Sequence, residues 1–162
     1  MKNIVDTRLR NVYLKPGEIY VSRTPALVST VLGSCVSVTL YSVEARIGAM
    51  CHALLPSGSL DDGFRYVDST VEYLYDKLKI ISGRSGGFEA KMFGGADVLN
   101  PVGRLSGVPS VGRQNVAVAL QVIKKLGIEL IASDTGGDRG RKIFFYSNTG
   151  EVFLRQVKKS IR

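Results

Sequence analysis

With 162 residues, 44% hydrophobic and 22% charged, the chain is long and apolar enough for one packed domain, which excludes a disordered polyelectrolyte. No apolar run is long enough to span a bilayer, and residues 1–8 lack the apolar core of a secretion signal, so a cytoplasmic protein without membrane insertion is expected. The net charge of +8 calls for an acidic partner, but the basic residues are scattered, densest at 139–142 and 155–162, and no zinc knuckle, RNA-binding aromatic motif or helix-turn-helix accompanies them, so nucleic acid is not expected.

Residues 17–21 and 28–41 are rich in β-branched side chains and read as strands, with Pro25 breaking between them. Past Cys35, Val36, Val38 and Leu40 alternate with Ser37, Thr39 and Tyr41, the pattern of a half-buried strand. Residues 47–55 form the next strand, reached through a short polar link at 42–45 and ended by the Pro-Ser-Gly-Ser run at 56–59. Asp61 or Asp62 is placed to cap a helix over 64–79, whose Val67, Val71, Leu74, Tyr75 and Leu78 share a face. A glycine-rich loop at 82–87 follows, then a strand over 88–93 that runs into Gly94-Gly95-Ala96-Asp97.

A second helix is expected over 112–126, capped by Ser110 and stopped by Gly127, with Val116, Ala119, Leu120 and Ile123 facing inward. Residues 128–133 read as a strand, 134–140 as a loop, and 141–146 with 151–157 as a hairpin. No repeat or linker divides the chain. The expectation is a single α+β domain, strand-rich, with two main helices.

Sharp chemistry is concentrated in one place. Cys35 follows Gly33-Ser34, and the chain's single histidine, His52, lies seventeen residues later. A thiol and an imidazole that meet can form a nucleophile-base pair. Opposed residues of an antiparallel pair have numbers with a constant sum, and they share a face. If Tyr41 opposes Arg46, Cys35 opposes His52; a link one residue longer sends the two side chains to opposite faces. In the favourable register Cys51 turns to the other face as a core residue. Gly33 permits an irregular backbone, and the amides of Ser34 and Cys35 are candidate oxyanion donors. Ser29 or Thr30, upstream on the same strand, is placed to fix the imidazole tautomer.

Other constellations carry less. Cys35, Cys51 and His52 lack a fourth metal ligand, so no metal site is expected. The Gly94-Gly95 and Gly136-Gly137 loops match no nucleotide fingerprint and read as turns. Asp97 and Asp134 read as loop caps.

Several motifs in order resemble one family. Leu32-Gly33-Ser34-Cys35-Val36, His52-Ala53-Leu54-Leu55-Pro56, Arg65-Tyr66-Val67-Asp68, Phe93-Gly94-Gly95-Ala96, Gly112-Arg113-Gln114-Asn115-Val116 and Asp134-Thr135-Gly136-Gly137 through Gly140-Arg141-Lys142 are similar to the pattern of CheD, the chemoreceptor glutamine deamidases of bacterial chemotaxis. The resemblance runs from about Gly17 to Val157 and leaves residues 1–16 outside it. It implies an α/β sandwich similar to the catalytic domain of the cytotoxic necrotizing toxins. It implies hydrolysis of receptor glutamine side chains to glutamate with release of ammonia, and no cofactor.

By the same resemblance Cys35 matches the nucleophile and His52 the base. Ser29, six residues before Cys35, stands at the favoured offset for the third residue, with Thr30 as the alternative. The implied partners are methyl-accepting chemotaxis receptors and a CheC-type phosphatase, with Phe93, Gly94 and Gly95 as part of a docking surface. There are two rival functions: a non-catalytic adaptor binding receptors and the phosphatase, with the Cys-His pair vestigial, and a receptor methylesterase using the same pair.

Overall fold

Gly33 and Ser34 split the apolar run 28–41 into two strands that belong to different sheets. The computed structural model describes residues 6–98 and 107–157; the basic tail beyond 157 lies outside them. The described elements are β1 (Arg10–Tyr13), β2 (Ile19–Val21), β3 (Ala26–Leu32), β4 (Val36–Ser42), β5 (Ile47–Cys51), α1 (Val67–Ser82), β6 (Phe88–Gly94), α2 (Val111–Lys125), β7 (Glu129–Thr135), β8 (Arg141–Tyr146) and β9 (Val152–Gln156). One sheet has the order β1-β3-β8-β9 and the other β2-β5-β4-β6-β7. The chain is α+β, as its strand-rich pattern predicts.

Two cores account for the layering. Val28, Leu32, Met50, Phe93, Ile143 and Phe145 pack between the sheets. Val36, Val38, Leu40, Val71, Leu74 and Ala119 are among those that pack between the five-stranded sheet and the helices. The central strand β4 is buried along its whole length, because it has a sheet on one side and helices on the other. The half-buried alternation expected of it is overruled by this double cover.

Four local expectations are corrected. The β4–β5 link is 43–46, one residue later than expected, with Arg46 taking a positive φ of 55°. Helix α1 begins at Val67, and Tyr66 caps it without a side-chain hydrogen bond. Asp61 and Asp62 sit instead in a separate 3-10 turn capped by Ser59. The helix starts late because Leu55 pairs with Tyr66 as a short parallel bridge, and the Leu54 and Leu55 amides both donate to the Arg65 carbonyl. Leu120 of α2 is 44% exposed, because the buried stripe runs through Gly112, Asn115, Ala119, Val122 and Ile123, and Leu120 lies to one side of it. Finally, β1 is a strand the pattern did not signal, since it adds to β3 in parallel as a four-residue edge.

Helix α2 approaches the end of β6 very closely. A Cβ on Gly112 would lie 2.6 Å from the Gly95 carbonyl oxygen and 2.7 Å from that of Ala96. Alanine favours a helix over glycine by up to about 1 kcal/mol, so propensity and packing oppose each other here. Packing prevails because both obstructing atoms are backbone. Gly112→Ala is therefore expected to destabilise the protein by about 1–3 kcal/mol, read as a lower urea midpoint; a midpoint equal to or above the wild type would contradict the close approach.

Candidate active site

Cys35 sits where the chain crosses from one sheet to the other, and His52 follows the end of β5. Opposed residues of β4 and β5 run from Ser42–Ile47 to Thr39–Met50, and the isolated Val36–Ala53 bridge continues the same register. The constant sum is 89, where the expected pairing of Tyr41 with Arg46 gives 87. Both sums are odd, so Cys35 and His52 still share a face, but they are diagonal neighbours rather than directly opposed. Val36, Ala53 and Cys51 point into the helix-side core, whereas Cys35 packs on the inter-sheet core. Cys51 is thus turned away. It is fully buried, its sulfur accepts from the Val38 amide at 3.5 Å, and burial pushes its thiol up to about 12.

His52 is buried, 2% exposed. Its amide donates to the Glu18 carbonyl at 3.1 Å, and its carbonyl accepts from the Gly17 amide at 2.8 Å. Pro16 and Gly17 occupy the middle of the turn from Lys15 to Glu18. Gly17 has φ 84° and the Glu18 amide donates to the Lys15 carbonyl, the pattern of a type II turn.

Across the inter-sheet space, the Thr30 hydroxyl lies 2.6 Å from Nδ1 of His52 and 2.7 Å from the Leu14 carbonyl oxygen. A carbonyl only accepts, so the single hydroxyl proton goes to Leu14, and toward Nδ1 the hydroxyl accepts. His52 therefore carries its proton on Nδ1. Its Nε2, with the free lone pair, is buried and has no hydrogen-bond partner among the described residues.

This geometry decides between the two hydroxyls upstream of the cysteine. Thr30 meets the imidazole; Ser29 does not. Alternation along β3 places Ala26, Val28, Thr30 and Leu32 on the inter-sheet face and leaves Ser29 on the other, half-buried. The preference for Ser29 by its offset is corrected accordingly.

Burial acts on both groups of the pair in the same sense. It pushes the Cys35 thiol up and the His52 imidazole down to about 4. Each is held toward its neutral form, which disfavours a thiolate–imidazolium pair at rest.

The loop carrying Cys35 is fixed through three consecutive carbonyls. The Gly33 oxygen accepts from the Ala96 amide and the Cys35 oxygen from the Gly95 amide, each at 2.9 Å. The Ser34 oxygen accepts from Nδ2 of Asn115 at 3.0 Å. Because a trans peptide points its N–H opposite to its carbonyl, the Ser34 and Cys35 amides face away from the Ala96 and Asn115 anchors. Neither amide makes a backbone–backbone hydrogen bond among the described residues, and that of Cys35 interacts with its own sulfur.

Gly94 allows this fit: its φ is 105°, and a Cβ there would lie 2.2 Å from the Cys35 carbonyl oxygen. Phe93, Gly94 and Gly95 are all buried. They brace the Cys35 loop from within and offer no docking surface, which corrects that expectation. Arg141, also buried, ties the neighbouring loop to the same point. Its guanidinium donates to Asp134 at 2.6 Å, to the Gly136 carbonyl at 2.8 Å and to the Gly94 carbonyl at 3.4 Å.

A cleft of about 630 Å³ opens over the site, with Ser34, Cys35, Leu54, Arg65, Asp97 and Val111 among its lining. Asn115 and Arg141 were not singled out as site residues by sequence reasoning. A signal existed for Asn115: it is the one polar member of an otherwise apolar or small-residue helix stripe. Arg141 carried none, since its burial depends on the loop that folds over it.

A profile of the family described as CheD chemotactic sensory transduction matches residues 54–156. The chain is 46% identical over 153 residues, 94% of each chain, to a probable chemoreceptor glutamine deamidase of Geobacter sulfurreducens. It is 38% identical to one from Nitratidesulfovibrio vulgaris, across 97% of this chain and 82% of that relative. A relative of the same description in Thermococcus kodakarensis is 39% identical, with 87% and 89% covered.

The depressed His52 pKa makes a stability prediction. An unfolded imidazole titrates near 6.5 and the folded one at about 4. Between those values the unfolded state binds more protons, so stability falls as pH falls. The loss from this group is expected to reach about 3 kcal/mol by pH 4. Urea midpoints at pH 7, 5.5 and 4 should show it in the wild type and not in His52→Gln; an equal pH slope in both would refute it.

Proposed function

The chain belongs to the CheD family, and on that premise we propose that it hydrolyses selected glutamine side chains of methyl-accepting chemotaxis receptors to glutamate, releasing ammonia. The observation that carries the reading is the state of His52. Its Nδ1 proton is held by Thr30, so Nε2 is left as a base on the same face as the cleft-lining Cys35.

The steps follow from these groups. Nε2 takes the Cys35 proton as sulfur attacks the carboxamide carbon. Coupling the two events suits a neutral resting pair, because neither charge has to exist before substrate arrives. The Ser34 and Cys35 amides receive the developing oxyanion. The imidazolium, its Nδ1–H still donating to Thr30, protonates the departing nitrogen, and ammonia leaves a thioester. Imidazole then deprotonates a water that cleaves the thioester, and the proton returns to the thiolate.

A net charge of +8 suits an acidic receptor surface. No helix among the described residues is long and apolar enough to cross a membrane, and we place the enzyme in the cytoplasm beside the receptors' signalling regions. A CheC-type phosphatase is proposed as a second partner, competing for the same cleft.

Cys35→Ala and His52→Gln are each expected to abolish conversion of receptor fragments, followed as the carboxamide-to-carboxylate mass gain. Retained conversion in Cys35→Ala would sink the proposal. If the wild type binds receptor fragments but converts none, and Cys35→Ala binds equally, the adaptor reading takes its place; loss of receptor methyl groups instead of amides would point to the esterase.

Thr30→Val is expected to lower kcat about ten- to a hundred-fold, because it removes the acceptor that sets the tautomer. Ser29→Ala should stay within about two-fold of the wild type, since its hydroxyl faces away. The reverse ranking of these two variants would overturn the assignment of Thr30.

A further inference from the structure

Beyond the Val36–Ala53 bridge the β4–β5 ladder comes apart. On one side the Cys35 carbonyl accepts from Gly95; on the other the Leu54 amide donates to Arg65. The two chains that carry the nucleophile and the base therefore splay, each drawn to a different neighbour. Ser34, Cys35 and Leu54 all line the cleft, so the splay forms part of its wall.

One side chain spans the gap. Asn115 is fully buried on α2, and its Nδ2 donates to the Ser34 carbonyl at 3.0 Å and to the Leu54 carbonyl at 2.9 Å. Both acceptors are carbonyls, so only the NH2 end of the amide can face them; chemistry fixes its orientation. Its Oδ1 has no hydrogen-bond partner among the described residues, so the amide is held by its two donated bonds. One acceptor immediately precedes Cys35. The other lies two residues after His52.

We infer that Asn115 is a positioning residue, which ties the Cys35 loop to the chain leaving His52 and so sets the separation of thiol and imidazole. It touches neither reacting atom. Its two bonds replace the ladder at the point where the ladder has to open for substrate. This rests on the reading of Cys35 and His52 as the working pair.

The test follows Cys35 alkylation by iodoacetamide against pH in the intact protein, with peptide mapping to separate Cys35 from Cys51. It also measures kcat and KM on a receptor fragment. Asn115→Asp keeps the shape but sets a carboxylate oxygen against one of the two carbonyls; Asn115→Ala removes both bonds without adding charge. In the folded fraction of each, judged by near-ultraviolet circular dichroism, the alkylation profile should shift toward that of His52→Gln. The kcat should fall on the order of a hundred-fold with KM within about three-fold, as for a misplaced reacting group. A wild-type profile and kcat in folded Asn115→Ala would overturn the inference, as would activity lost only in proportion to folded protein. If the wild-type profile itself coincides with that of His52→Gln, the pairing of Cys35 and His52 fails first, and the two failures are told apart.

Discussion

A threonine hydroxyl has one proton to give, and Thr30 gives it to the Leu14 carbonyl. Everything about the site's polarity follows. Toward His52 the oxygen can only accept, so the imidazole must hold its proton on Nδ1, and the basic lone pair must sit on Nε2. The arrangement depends on three separate parts of the fold. β3 supplies the hydroxyl, the segment after β1 supplies the carbonyl, and the turn at Pro16-Gly17 anchors the backbone of His52. Residues 1–16, outside the family resemblance read from the sequence, thus include Leu14, which sets the tautomer of His52.

The second constraint is the crossing between sheets. A chain that leaves one sheet and enters another cannot continue either ladder, so its backbone groups need other partners. The loop at 33–35 meets this requirement on one side only. Its carbonyls are taken by Gly95, Ala96 and Asn115, and its amides at Ser34 and Cys35 make no backbone–backbone hydrogen bond among the described residues. A buried imidazole nitrogen without a partner adds to the same account. A buried polar atom without a partner costs stability, and this one lies on the same face as the cleft-lining Cys35. Gly94, Gly95 and Gly112 bear the steric consequence, because the loop, the end of β6 and the start of α2 approach within distances that exclude a Cβ.

The two cysteines show how position divides one chemistry. Both are buried enough to raise the thiol pKa. Cys51 faces the helix layer, on the other side of the sheet from the inter-sheet space that holds the His52 imidazole, and packs as a small apolar side chain. Cys35 shares its face with Nε2 and lines an open cleft. A raised pKa disfavours a free-standing thiolate at Cys35, and in the mechanism we propose His52 takes its proton at the moment of attack.

Much was legible in the chain itself. The α+β class, both helices and the hairpin at the C-terminal end come from periodicity; the odd spacing of Cys35 and His52 made a shared face possible, and the observed register, with a sum of 89 in place of 87, keeps it. Ser110 caps α2 as read, through the Arg113 amide. What sequence reasoning could not reach depends on partners distant in the chain. Which hydroxyl meets the imidazole is decided by which face of β3 turns toward the second sheet. Whether Phe93-Gly94-Gly95 is surface or interior is decided by the second sheet over Phe93, the Cys35 loop over Gly94 and α2 over Gly95. The splay that opens the cleft exists only because Arg65 and Gly95 draw the two chains apart. Local residue order fixes periods and spacings along one segment, whereas faces, burial and hydrogen-bond partners are set by contacts between segments, and only the folded layers bring those together.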